Sequence, residues 1–141
     1  MIKHLLNKLE SLEKEIANEK GDFSLFGLFL REDAENRWDL VVSATWLNSD
    51  SIEDLNYIAS KLQSYLKNSE LISISRIVIL DLNDPIVQII NRTWGVQREY
   101  PLELNHLQIF NLPFKYAYII ISQSGKPVLK NVGKRRLRQT V

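Results

Sequence analysis

The densest group of residues with an obvious chemical use is a basic run at the C-terminal end of the chain. Residues 126–141 hold six lysine and arginine side chains and no aspartate or glutamate. Clustered cations neutralise phosphates and release counterions, which gives affinity for nucleic acid of any sequence. They would equally attract an acidic protein surface. The residues that we predict to make either contact are Lys130, Lys134, Arg135, Arg136 and Arg138.

The small net charge of +1 hides a strong asymmetry along the chain. Without the six basic residues of the tail, 12 of the 18 remain against 17 acidic residues, so residues 1–125 carry a net charge of −5. We therefore predict one domain over residues 1–125 and a flexible basic tail over residues 126–141. The tail could bind nucleic acid, an acidic partner or the acidic domain itself, or could be a solvated terminus that only aids solubility.

Two aspartates are candidates for binding a ligand. Asp39 lies within a predicted strand, and Asp81 lies at the carboxyl end of a later one, where α/β sheets commonly bind ligands. Asp84 is already explained as the N-cap of a helix that begins at Pro85. The alternative for Asp39 is a solvent-side residue paired with Arg37 or with a cross-strand neighbour.

The segment from residue 25 to residue 42 faintly resembles minimal nucleotidyltransferases. Those enzymes place a Gly-Ser turn before two aspartates at alternating strand positions, so that both carboxylates hold divalent cations. Here Leu28 stands in place of the serine and Arg37 in place of the first aspartate, and only Asp39 is retained. The resemblance implies at most a degenerate relative that still binds a nucleotide near Asp39 and Asp81.

Other catalytic chemistry finds little support in the sequence. The absence of cysteine excludes disulfides, thiolate nucleophiles and cysteine-ligated metals. The two histidines, His4 and His106, lack partners at ligand spacing, and no serine stands in a G-x-S-x-G turn. The five glycines never cluster into a phosphate-binding loop. We therefore predict no metal and no cofactor, and the sequence favours a non-catalytic protein while leaving an enzyme open as an alternative.

Aromatic side chains could instead stack on the bases of single-stranded nucleic acid. The residues considered are Trp38, Trp46, Trp94, Tyr100, Tyr116 and Tyr118. The two tryptophans of the second predicted strand share a face with Leu40, Val42 and Ala44, and no strand alternates aromatic with basic residues. This pattern favours a role in the core over one in nucleic-acid binding.

The first element that must position these groups is an N-terminal helix with one apolar seam. The seam also follows a heptad pattern, but for only about two heptads, where a coiled coil needs three or four. Packing on the chain's own sheet is the favoured prediction, and self-association through the seam is the alternative. Gly21 predicts the helix end. The seam residues are Leu5, Leu9, Leu12 and Ile16.

The following segments predict a hairpin and a crossover. Residues 23–30 are apolar on both faces, as in a central strand, and Gly27 predicts a bulge or a close backbone contact there. A short polar run leads to a second strand over residues 37–46. Four N-cap candidates precede a helix that ends near Asn68: Asn48, Ser49, Asp50, which has Glu53 three residues later, and Ser51. A buried strand over residues 74–82 completes a parallel βαβ unit.

The rest of the chain completes an α+β domain with a single mixed β-sheet and helices packed on it. A helix extends from Pro85 to Gly95. One or two short strands follow between residues 96 and 110, the first at an edge because of Pro101. A strand over residues 115–122 is the last element predicted before the tail.

Two segments resemble a family of uncharacterised bacterial proteins of about this length. They are LFGLFLREDAENRWDLVVSATW (residues 25–46) and SRIVILDLNDP (residues 75–85). The resemblance implies a bacterial source and a shared fold, and no activity is known for the family. Charges interrupt the apolar run at the N-terminus, and no stretch approaches a membrane span. We therefore expect a cytoplasmic protein without membrane contact.

These observations leave three classes of function. The leading one is a non-catalytic interaction or regulatory protein that binds a protein partner of unknown identity and self-associates through the first helix or a sheet edge. Nucleic-acid binding through the basic tail is the alternative. A degenerate nucleotidyltransferase-like protein is the third.

Overall fold

The computed structural model describes residues 2–32, 37–105 and 114–123, which form four helices and five strands. The predicted basic tail and His106 lie outside these residues. In chain order the elements are α1 (Ile2–Lys20), β1 (Leu25–Arg31), β2 (Trp38–Ser43), α2 (Ile52–Tyr65), α3 (Asn68–Leu71), β3 (Ile74–Ile79), α4 (Pro85–Thr93), β4 (Leu102–Asn105) and β5 (Phe114–Ser122).

All five strands form one mixed sheet in the order β3-β2-β1-β5-β4. The β1–β2 hairpin is antiparallel, as are the pairs β1–β5 and β4–β5. Only β2 and β3 are parallel, because α2 and α3 carry the chain from the end of one to the start of the other. The α+β class, the hairpin and the βαβ crossover are confirmed.

Helices cover both faces of the sheet, which explains why β1 is apolar on both sides. Residues 25–29 of β1 are all buried. On one face, Phe26 and Leu28 pack in a cluster with residues of α1 and α2. On the other, Leu25 and Phe29 pack with Val87 and Ile90 of α4.

The apolar seam of α1 is buried within the chain itself. The exposed fractions of Leu5, Leu9, Leu12 and Ile16 are 4%, 0%, 0% and 0%. Their cluster includes β1, β2 and α2, so the seam has no surface left for a second copy. Packing on the chain's own sheet was the favoured prediction, and the alternative of self-association through these four residues is not supported. The spacing is common to coiled coils and to any amphipathic helix.

The helix ends agree with the sequence prediction where a capping residue defines them. Gly21 follows α1 with a φ of 124°, the left-handed conformation that glycine favours. Asp84 caps α4, because its Oδ1 accepts a hydrogen bond from the Ile86 N–H at 2.9 Å, and Pro85 takes the first helical position. For α2 the cap is Ser51, whose Oγ accepts from the Asp54 N–H at 3.1 Å, and not Asp50.

Two elements differ from the sequence prediction. The helix expected to end near Asn68 stops at Tyr65, and the short helix α3 follows it. The strand expected to be buried over residues 74–82 ends at Ile79 and is only partly buried. Its apolar run is typical of a central parallel strand, but β3 lies at the edge of the sheet, where one side has no neighbouring strand among the described residues.

A polar network joins α1 to α2 above the core. The Lys61 ammonium lies 2.7 Å from a Glu15 carboxylate oxygen and 2.8 Å from one of Glu19. The Tyr57 hydroxyl donates to Glu19 at 2.6 Å, and the Tyr65 hydroxyl donates to Glu15. Hydrogen bonds from Lys61, then from the tyrosines, lower the pKa of both glutamates below the ordinary value of 4.5.

Removing the positive charge of Lys61 should make the protein's stability less sensitive to acid. Because the folded-state pKa values of Glu15 and Glu19 are lowered, the network stabilises the fold above pH 4.5 and is lost as the pH falls through those values. We expect Lys61→Met to lower the thermal midpoint near neutral pH and to change it less in acid. The control is Lys14→Met, which changes an exposed lysine of α1 outside the network. It should lower the thermal midpoint only slightly, and by the same amount at every pH. Identical pH profiles for the two variants would refute the coupling.

Candidate functional site

The side chains best placed for binding are three aromatic rings on the face of the sheet that α1 and α2 partly cover. Trp38 begins β2, and Tyr116 and Tyr118 alternate along β5, so all three point to the same side. The ring centroids of Trp38 lie 5.9 Å from Tyr116 and 5.5 Å from Tyr118, and the two tyrosines are 5.2 Å apart. Each is only partly buried.

These rings form one wall of a groove of about 980 Å³, which we call the aromatic groove. Leu30 of β1 also lines it. The other residues come from two places: the start of α1, with His4 and Leu5, and the connection from α2 to β3, with Lys67, Ser69, Glu70 and Ser73. A volume of this size lies at the upper end of the range for small-ligand sites.

The charges at the rim of the groove are held by α1 and α3. Glu70 Oε1 lies 2.7 Å from the Lys8 ammonium and accepts the Lys67 backbone N–H at 2.8 Å. These contacts, the Lys8 hydrogen bond first, lower the pKa of Glu70. Its carboxylate is therefore ionised near neutral pH and already engaged, which leaves it poorly placed to act as a general base.

The phenol of Tyr118 is a hydrogen-bond donor at the groove wall. Burial, and then the nearby charge of Glu103, raise the pKa of Tyr118 above its ordinary value of 10.0. Glu103 stands opposite Tyr118 in the β4–β5 pairing. The hydroxyl consequently stays protonated throughout the neutral range and can donate to a polar group on a bound molecule.

The two predicted ligand-binding aspartates do not share a site. Asp39 is opposite Arg76 in the parallel β2–β3 pair, and Asp81 follows Arg76 by five residues. At the usual strand rise, β3 runs about 10 Å from Arg76 to its end at Ile79, and Asp81 lies beyond that end. Asp81 is exposed. Asp39 stands near the start of β2 and Asp81 lies beyond the end of β3, so the parallel pair keeps them apart and a joint site at these two residues is not supported.

Asp39 itself is buried rather than on the solvent side of its strand. It is 1% exposed, and its Oδ2 lies 3.2 Å from Arg31 Nε and 3.1 Å from Arg76 Nε. The partners are therefore cross-strand neighbours on β1 and β3, and Arg37 does not contribute. Asp39 pairs with two guanidinium groups and lies on the face opposite the aromatic groove, which favours a structural role.

The aromatic groove was not predicted from the sequence, because the alternating pattern indicated that the aromatic residues belong to the core. That interpretation is right for most of the face, including the fully buried Leu40 and Val42. Trp38 begins the same alternating run and, unlike those two residues, is only partly buried. The Tyr-x-Tyr spacing in β5 was the available signal, since it places two polar-tipped rings on one face.

Comparison with known proteins identifies no relative: no family model, no curated protein and no solved structure matches the chain. In the described residues, no group of three or more histidine, aspartate or glutamate side chains is arranged to hold a metal ion. None of the described helices is long and apolar enough to span a membrane.

Proposed function

We propose that this protein is a non-catalytic binding domain that accepts a small ligand with a flat ring in the aromatic groove. The observation that carries the proposal is the contiguous set of partly exposed rings of Trp38, Tyr116 and Tyr118. Large apolar surface left open beside polar groups is typical of binding sites. The source and compartment that we propose, a bacterial cytoplasm, are supported by the sequence resemblance and by the lack of cysteine.

The chemistry of the groove defines the kind of ligand. A flat ring can pack offset or edge-on against the tryptophan and tyrosine rings, as they already do with one another at interplanar angles of 48–85°. The hydroxyls of Ser69, Ser73 and Tyr118 supply polar contacts at the edges, and Lys67 supplies a positive charge. This combination suits an aromatic or heteroaromatic ring with a polar or anionic substituent.

Tryptophan indole N–H signals provide a direct test. The chain has three tryptophans, so its ¹H–¹⁵N spectrum should contain three indole signals. Titration with adenosine and with naphthalene-2-sulfonate, one uncharged and one anionic flat probe, should shift the Trp38 signal saturably. The signal of Trp46 should stay in place, because its Nε1 donates to the Gly21 carbonyl at 2.9 Å outside the groove.

Substitution separates groove binding from general adhesion to apolar surface. Tyr118→Leu removes one ring and should weaken binding of the better probe about fivefold, since one ring contact contributes about 1 kcal/mol. Tyr57→Leu removes a tyrosine that packs on Trp46 instead and should leave the affinity unchanged. Absence of any saturable shift at Trp38, or equal losses in both variants, would contradict the proposal.

Nucleic-acid binding through the basic tail is a second proposal, and it stands apart from the groove. Its support is the sequence alone, in which residues 126–141 carry six cations and no acidic side chain. Such binding would weaken steeply with salt, whereas ring contacts in the groove would change little.

A further inference from the structure

The outer side of β3 has the properties of an interface rather than of a protected edge. β3 is the last strand of the sheet on its side, and its six residues include no proline and one charged side chain, Arg76. The opposite edge strand is built differently. β4 has four residues, follows Pro101 directly and exposes Glu103 and Asn105, which are common devices against strand pairing.

The backbone of β3 shows which groups are available. The Leu80 N–H donates to the Val42 carbonyl at 2.9 Å, so the backbone groups of alternate residues, Val78 and Leu80, point toward β2. Those of Ile77 and Ile79 therefore point away from the sheet. No described residue pairs with this outer side, which leaves a row of hydrogen-bonding groups ready for another strand.

Exposed apolar side chains lie at both ends of the same edge. Among the described residues, the large hydrophobic side chains that are exposed are Ile52, Ile72 and Tyr100. Ile72, 69% exposed, precedes β3 by two residues. Ile52, 66% exposed, borders a shallow depression of about 140 Å³ that is also lined by Ile77 and Ile79.

We infer that β3 pairs antiparallel with β3 of a second copy of this chain, with Ile77 opposite its own counterpart. In this register, the two Ile77 residues exchange both outward-facing backbone hydrogen bonds, as paired residues do in an antiparallel ladder. The C-terminal half of each strand, beside Ile52, then lies along the N-terminal half of the other, which Ile72 precedes. Both exposed isoleucines are consequently brought to the joined edge.

Electrostatics and geometry favour this register, which lies near the middle of β3, and a second copy as the partner. Centring the pair on Arg76 would place two like charges directly opposite one another, which is destabilising, and Arg76 has its backbone groups turned toward β2. A one-residue slip would also move every side chain to the wrong face. The two-fold arrangement is closed: it joins two five-stranded sheets into one, and it uses the same residues on both copies.

Sedimentation of the full chain tests the inference. We expect a reversible dimer of twice the 16.4 kDa chain mass. Ile77→Lys sets two ammonium groups opposite one another at the centre of the pair and should weaken the dimer at least a hundredfold. Leu104→Lys is the matched control, because it puts the same charge at a partly buried leucine of the other edge strand, and it should leave the dimer intact.

Amide hydrogen exchange of the unmodified protein keeps the inference falsifiable if Ile77→Lys does not fold. Protection at Ile77 and Ile79 should rise with protein concentration, while the Leu80 amide, bonded within the chain, should show no dependence. A strict monomer at millimolar concentration, a dimer unaffected by Ile77→Lys, or protection independent of concentration would overturn the inference. Shifts at Trp38 report separately on the groove, so failure of either proposal leaves the other standing.

Discussion

Replacing Arg98 with alanine should lower the free energy of unfolding by about 3–5 kcal/mol, because it strands a buried charge. Glu13 of α1 is 0% exposed. Its carboxylate receives both hydrogen bonds of the Arg98 fork, from Nε at 2.5 Å and from Nη2 at 2.7 Å. Those bonds raise the pKa of Arg98 further above its already high value. Without the guanidinium, nothing comparable offsets the desolvation of Glu13.

The cost should come from the unpaired charge and not from the lost contact. Replacing a buried pair with apolar residues of similar size is often neutral. We therefore expect the double variant Glu13→Leu with Arg98→Met to recover most of the stability that Arg98→Ala loses in urea unfolding. Asp22→Ala is the control: its carboxylate is 3.8 Å from Arg98 but 72% exposed, so its loss should stay within about 0.5 kcal/mol. A double variant as unstable as Arg98→Ala would contradict this account.

The ion pair between Glu13 and Arg98 is an example of a contact that the sequence does not predict. Local signals were sufficient for the end of α1 at Gly21, the Asp84 cap of α4 and the β1–β2 hairpin, since each depends on neighbouring residues. Glu13 and Arg98 are 85 positions apart. Their meeting depends on the Arg98 segment following Val96, which forms a bridge to Ser122 at the end of β5. The order of the strands in the sheet cannot be inferred from the hydrophobic periodicity of any one segment.

Strand order also explains the partial success at the candidate sites. Asp39 was correctly assigned to a strand, and a cross-strand partner was one of the alternatives. Its burial between Arg31 and Arg76 follows from β2 lying between β1 and β3. The aromatic groove likewise needs β5 to be the second neighbour of β2, so that Trp38 meets rings from residues 116 and 118 across β1. Hydrophobic periodicity predicts which face of the sheet a ring occupies, but not how far that ring is buried by other elements.

The proposed site and the proposed interface both lie where apolar side chains of the described residues are partly exposed. Two helices shield one face of the sheet and α4 shields part of the other. Near Trp38 and along β3, apolar side chains remain partly exposed. Such surface is costly in a monomer unless a ligand or a partner covers it. Partial exposure of apolar side chains is therefore the support that the two proposals share.

Gly27→Ala should destabilise the protein by about 3 kcal/mol, the upper end for overpacking. A Cβ at Gly27 would lie 2.7 Å from the Tyr118 carbonyl oxygen and 3.2 Å from the Ile119 Cα. Both are backbone atoms of β5, and β5 is held by β1 on one side and by β4 on the other. The strand cannot yield as a flexible side chain would. The β1–β5 register shifts at this position, as the glycine predicted.

Gly95→Ala is the matched control, because nothing lies within 4 Å of a Cβ built there. Its midpoint in urea should change little or rise slightly, since alanine reduces the freedom of the unfolded chain. Comparing the two variants thus separates the steric cost of a Cβ at a close backbone contact from the effect of alanine on the freedom of the unfolded chain. Equal effects in both variants would contradict the steric explanation. Because Gly27 presses on the backbone of Tyr118, Gly27→Ala should also displace that ring and shift the Trp38 indole signal. A residue on the face opposite the groove therefore fixes one of its walls.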